Sequence, residues 1–98
     1  MICHIVFYKM KSEKNANQET WLVEEARKQL AVLPGVLNLR VGKNIDPAKG
    51  SYAVALAMDF EDRAALETYR VHPDHQRFVK ETAGPLVEEI FRYDFEWV

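Results

Sequence analysis

Between Tyr52 and Phe60 the chain alternates large and small side chains without a slip: Tyr52, Val54, Leu56, Met58 and Phe60 on one side, Ala53, Ala55, Ala57 and Asp59 on the other. In a strand, period two sends these two sets to opposite faces of a sheet. The large set fills a core. The alanines leave room for something bulky to approach the opposite face, and that something is expected to be another chain. A length of 98 residues leaves no space for a second core, so residues 1–98 are read as one domain.

Other segments supply the partners this strand needs. In Met1 to Met10 the residues Ile2, His4, Val6, Tyr8 and Met10 alternate with Cys3, Ile5, Phe7 and Lys9, a strand apolar on both faces. Lys11 to Gln18 is polar, with Asn15 or Asn17 as a helix cap. Val23, Ala26, Leu30 and Leu33 then recur at helical spacing, so a helix is expected from about Gln18 to Leu33. Pro34 and Gly35 stop it. Val36 to Ile45 reads as a second strand with Leu37, Leu39 and Val41 on one face, and Asp46 to Gly50 reads as the turn into the strand at Tyr52. Asp62 caps a second helix presenting Ala65, Leu66 and Tyr69, broken after Val71 by Pro73. His75, Phe78 and Val79 lie on a further helical segment closed by Gly84 and Pro85. In Glu88 to Val98, Phe91, Tyr93, Phe95 and Trp97 alternate with Ile90, Arg92, Asp94 and Glu96 as a fourth strand.

The order β-α-β-β-α-β is that of an α+β, ferredoxin-like sandwich: a four-stranded antiparallel sheet with helices on one face. Its other face stays bare. The apolar surplus of the first and last strands is expected to be buried sheet to sheet in a homodimer, closing an α/β barrel.

Composition narrows the partners. Thirteen basic against fifteen acidic side chains give a net charge of −2, which provides no footprint for nucleic acid or an anionic membrane. No apolar run approaches a membrane span of about 20 residues, and the first residues lack the features of a signal peptide. The lone Cys3 allows no intramolecular disulfide and suits a reducing cytoplasm.

The most specific string is Tyr69-Arg70-Val71-His72-Pro73-Asp74-His75, with Phe78 three residues on. Together with His4-Ile5-Val6 before Tyr8-Lys9-Met10-Lys11, the Leu33-Pro34-Gly35-Val36 corner, and Phe60 ahead of the second helix, it resembles the stress-responsive A/B-barrel (Dabb) family over nearly the whole chain. The resemblance implies a ferredoxin-like protomer that pairs sheet to sheet. Many members have no assigned activity, and a fold does not fix a reaction. Others are polyketide cyclases that close a ring without a cofactor, using a tyrosine and the second histidine of the Tyr-x-x-His-Pro-x-His string. Tyr69 and His75 stand at those positions, and His4 matches a histidine that lines the pocket of such members.

Each of these residues also has a plain structural role to weigh. An imidazole takes a proton from carbon beside a carbonyl if a donor such as the Tyr69 phenol steadies the enolate oxygen. Alternatively, His75 bonds a backbone carbonyl and Tyr69 anchors its helix on the sheet. His72, preceding Pro73 at a first turn, reads best as a cap, although it is carried with His4 and Phe78 as a residue expected at the substrate pocket. A three-histidine metal site is disfavoured because no carboxylate is placed to complete it and Pro73 intervenes, so neither metal nor cofactor is expected. Trp21 and Trp97 read as core or interface anchors. Glu24-Glu25 and Glu88-Glu89 read as solvated pairs that point apart.

The function expected from this reading is that of a Dabb protein of unassigned activity, with a His/Tyr site suited to cyclase or lyase chemistry on a small hydrophobic or carbonyl-containing ligand. A non-catalytic dimer binding a hydrophobic metabolite is the alternative, followed by a monooxygenase or isomerase of the same barrel architecture. A pocket reached by His75, Tyr69 and His4 together favours the enzyme; one filled by core side chains favours the scaffold.

Overall fold

The computed structural model describes residues 1–12, 15–46 and 52–98. Strand β1 spans Ile2–Met10, helix α1 Ala16–Leu30, β2 Leu37–Lys43, β3 Tyr52–Phe60, α2 Arg63–Val71, α3 Pro73–Arg77 and β4 Val87–Glu96. A π-helical turn, Phe78–Ala83, continues α3. The strands form one antiparallel sheet in the order β2-β3-β1-β4, a ferredoxin-like α+β fold.

Local chemistry accounts for the element ends. Asn15 starts α1 with a capping box: its side chain accepts from the N–H of Asn17 and Gln18, and its own N–H donates to Gln18 Oε1 at 2.9 Å. The helix therefore begins two residues before the expected Gln18, and it ends at Leu30 rather than Leu33. Leu33 is nevertheless buried, held under the turn that Gly35 closes with φ +84°. Asp62 caps α2 by accepting from the N–H of Ala65 at 2.9 Å. At the far end of the π turn the Gly84 N–H donates to the Val79 carbonyl at 2.8 Å. A Cβ at Gly84 would lie 2.9 Å from the carbonyl oxygens of both Val79 and Lys80, so close approach of backbone is what requires glycine here.

Even-numbered residues of β1 and β3 face the helices. Ile2, Val6, Tyr8 and Met10 meet Val54, Leu56, Met58 and Phe60, and Leu22, Val23, Ala26 and Leu30 of α1 close over them. Leu56 and Phe60 are buried with α2's Leu66 and Tyr69 and with Phe78. The alternation in β3 thus has the sidedness expected from its large and small sets. In β2 it does not hold throughout. Leu37 pairs with Asp59 and Arg40 with Ala57, so an extra residue intervenes, and Asn38 sits in the left-handed region at φ 53°. This bulge turns Leu37 away from the helices and leaves it exposed, while Val41 remains in the core. Of the expected turn at Asp46 to Gly50, residues 47–50 lie outside the described residues.

The face opposite the helices carries Phe7, Leu37, Ala53, Ala55 and Ala57, together with a row of aromatics along β4 and just past its end. Phe91, Tyr93, Phe95 and Trp97 are between 44% and 59% exposed. Neighbouring rings along this row lie with centroids 5.7 to 6.5 Å apart.

Candidate active site

Between the helices and the sheet a cavity of about 520 Å³ opens, lined by His4, Val6 and Tyr8 of β1, Tyr69 and Arg70 of α2, His75 and Gln76 of α3, Val79, and Ile90 and Arg92 of β4. The residues converge because of three local features. The period-two pleat of β1 puts His4, Val6 and Tyr8 on the helix side. Helix α2 buries Tyr69 on that sheet. The break at His72 then redirects the chain: its backbone leaves helical geometry at ψ 131°, and its Nδ1 accepts from the N–H of Asp74 at 3.1 Å, which starts α3 with Pro73 in the first turn.

Across this break the Tyr69 and His75 rings come to a centroid distance of 4.3 Å, and the His4 ring meets Tyr69 edge-on with centroids 5.8 Å apart. Three of the residues singled out in the sequence therefore line one cavity, with Tyr69 in contact with both histidines. His72 and Phe78 are not among its lining residues: His72 caps α3, and Phe78 is buried in the core.

Hydrogen bonding fixes the tautomers. His75 Nδ1 lies 3.1 Å from the Arg70 carbonyl oxygen, which only accepts, so Nδ1 carries the proton and the neutral ring keeps a bare, basic Nε2. This backbone bond, anticipated as the structural role of His75, coexists with its place on the cavity wall. Burial lowers the His75 pKa below the usual 6.5; the bond to the Arg70 carbonyl opposes the shift, and the nearby His4, Arg92 and His72 add to it. The Tyr69 hydroxyl is pushed far above the ordinary phenol range by burial, with the neighbouring Tyr8 contributing. Tyr8 is raised likewise by burial, partly offset by the positive charge of Arg92. Both phenols are therefore proton donors across the neutral range.

His4 is buried and its Nδ1–H donates to Asp94 Oδ1 at 2.5 Å. The second oxygen of Asp94 accepts from Arg70 Nη2 at 2.6 Å. Tyr8, Arg70, Arg92 and Asp94 were not anticipated as site residues. For Tyr8 the signal was present, since it shares the even face of β1 with His4. For Arg92 and Asp94 the aromatic stripe on alternate positions drew attention to the opposite face of the same strand. Among the described residues, no three His, Cys, Asp or Glu side chains converge as metal ligands.

Residues 2–97 match the family described as the Stress responsive A/B Barrel Domain, Dabb. The chain belongs to that family. A curated relative, a stress-response A/B barrel domain-containing protein of Arabidopsis thaliana, is 30% identical over 97 residues, and the match covers 97% of this chain and 36% of the relative. The chain thus spans about a third of the length of the curated relative it matches. A crystal structure of a Dabb family protein with a ferredoxin-like fold from Mesorhizobium loti superposes with TM-score 0.85 at 31% identity, covering 99% of this chain and 96% of that one. A hydroxynitrile lyase from Passiflora edulis shares the fold with TM-score 0.79 at 21% identity, covering 96% of this chain and 90% of that one. These matches establish the Dabb family and the ferredoxin-like fold, and no specific activity follows from them.

Proposed function

We propose that the cavity of this Dabb protein catalyses cofactor-independent proton transfer on a small carbonyl compound, with His75 as general base. The observation that carries this reading is the His75 tautomer: Nδ1–H is committed to the Arg70 carbonyl, so a neutral, basic Nε2 remains on a ring packed at a tilt against a protonated phenol in an open cavity. Nε2 removes a proton from the carbon next to the substrate carbonyl, and the electron pair of that C–H bond moves onto the carbonyl oxygen as an enolate. The Tyr69 hydroxyl donates a hydrogen bond to that oxygen. The enolate carbon then adds to a second carbonyl of the same molecule, forming a C–C bond, and the alkoxide so produced recovers the proton from His75. The steps form a ring with no net change in redox state. His4, oriented by Asp94, lines the same wall. The occurrence of a lyase on this fold supports such a reading at the level of fold.

Dimerisation accompanies this proposal. The aromatic row of β4 and the alanines of β3 leave an apolar sheet face that a second copy covers sheet to sheet. Relatives of the same fold from Thermobifida fusca and Bacteroides fragilis are described as dimeric. No helix among the described residues is long and apolar enough to cross a membrane, and the free Cys3 accords with a cytoplasmic setting.

The test is turnover of β-diketones and linear polyketide-like substrates by protein without added metal, flavin or haem. His75→Ala is expected to abolish it with the melting temperature nearly unchanged, and Tyr69→Phe to slow it by about 10²–10³-fold, the usual effect of removing one oxyanion donor. Turnover that survives His75→Ala refutes the assignment.

A further inference from the structure

The cavity wall has an unbalanced charge. Two arginines line it, Arg70 and Arg92, and no carboxylate does. Arg70 is occupied: Nη2 holds Asp94 at 2.6 Å and Nη1 lies 3.5 Å from Glu67. Asp94, two residues from Arg92 on the same face of β4, is also fully engaged, giving one oxygen to His4 and the other to Arg70. Arg92 therefore has no ion-pair or hydrogen-bond partner among the described residues, although a carboxylate stands next to it on the strand. Its position is central. In the β1–β4 ladder Arg92 pairs with Val6, between the His4–Asp94 and Tyr8–Ile90 pairs, so this exposed arginine lines the cavity between the two polar ends of the β1 wall. The remaining wall beside it, Val6, Val79 and Ile90, is aliphatic.

We propose that Arg92 is a specificity-determining anchor for an anionic substrate group, so that the cavity takes a small carbonyl compound bearing a carboxylate on a short aliphatic chain. A guanidinium fork matches a carboxylate in bidentate geometry, and one with no partner in the protein is left to pair with a ligand. The arrangement places the substrate carboxylate at β4 and leaves its carbonyl for the Tyr69–His75 pair across the cavity. Arg92's charge reaches these groups, since it lowers the proton affinity of both His75 and Tyr8. The inference rests on the proton-transfer reading for what the carbonyl is there to do, but carboxylate recognition is measured separately.

The experiment is an NMR or calorimetric titration of the full chain with 5-oxohexanoate, whose ketone is separated from its carboxylate by three methylenes, and with its methyl ester, which lacks the anionic charge. The acid is expected to bind about 10-fold or more tightly than the ester, the scale of a hydrogen-bonded charge contact. Arg92→Gln should erase the preference and Arg92→Lys should keep part of it, with the melting temperature of each variant measured alongside. Equal binding of acid and ester to the unaltered protein, a preference that persists in Arg92→Gln, or no response at about 10 mM acid, weaker than a millimolar ligand, overturns the proposal. His75→Ala should keep the acid preference. If it does while turnover proves independent of His75, the proton-transfer reading fails and the anion site stands; if turnover needs His75 but Arg92→Gln leaves the preference intact, the reverse holds.

Discussion

His4 and Asp94 sit opposite each other in the β1–β4 ladder, and the His4 Nδ1–H donates to Asp94 Oδ1 across 2.5 Å. The same carboxylate accepts from Arg70, so one side chain ties the buried imidazole of β1 to the surface of α2. His4 is thereby held in the tautomer that leaves Nε2 for the cavity. Asp94→Ala should cost about 1–3 kcal/mol in urea denaturation, because it leaves a buried donor without its acceptor. Asp94→Asn should cost less, since the amide oxygen still accepts from His4. An alanine variant as stable as the parent would mean that the imidazole finds water or another acceptor.

The exposed aromatics of β4 set a second expectation. Light scattering after size exclusion should show twice the 11.4 kDa chain mass at micromolar concentration. Sheet-to-sheet burial over about 1,000 Å² or more is the scale of a stable interface. Phe95→Asp, in the middle of the aromatic row, should shift the species to monomer while the secondary structure persists. A parent protein that runs as a monomer at high micromolar concentration refutes the sheet-to-sheet pairing.

Leu56 tests the other face. It is 2% exposed and lies among Val6, Val54, Met58 and the residues of α1 in the core. Leu56→Ala should destabilise by about 2–5 kcal/mol in chemical denaturation, the range for removing a buried leucine side chain. A loss below about 0.5 kcal/mol, typical of a surface position, would place the core on the wrong face of β3.

Much of this architecture was legible in the sequence because its signals are local. The pleat of β3, the Asp62 cap, the Pro73 break and the Gly35 turn each act within a few residues, and each appears where the sequence indicates. The face of Leu37 was not legible, because the bulge at Asn38 depends on pairing with Asp59 across the ladder. In the cavity, the convergence of Tyr69, His75 and His4 could be anticipated from the string and the pleat. The Asp94–Arg70 link and the uncommitted Arg92 were hidden, since they depend on which carboxylate oxygen is taken by which donor from three separate elements.

The His75 assignment makes a pH dependence with a definite sign. Burial lowers the folded pKa of His75 below the 6.5 of a free imidazole, so the neutral base persists to lower pH in the folded protein than in a model peptide. As pH rises, kcat/KM should therefore climb with an inflection below 6.5 and then level off. Tyr69, raised above the 10.0 of an ordinary phenol, should stay protonated throughout that plateau, so its deprotonation brings no falling limb below pH 10.0. Stability follows the same proton. The unfolded chain binds it more tightly, so the contribution of His75 to folding is complete above 6.5 and declines as pH falls toward the lowered value. An NMR titration of the imidazole carbons gives the His75 pKa directly, and comparison with the kinetic inflection decides the assignment. Agreement below 6.5, with loss of turnover in His75→Ala, identifies the base. A kinetic inflection that departs from the His75 titration assigns the proton transfer to another group, and His4, which also packs against Tyr69 on the cavity wall, is the next imidazole in reach.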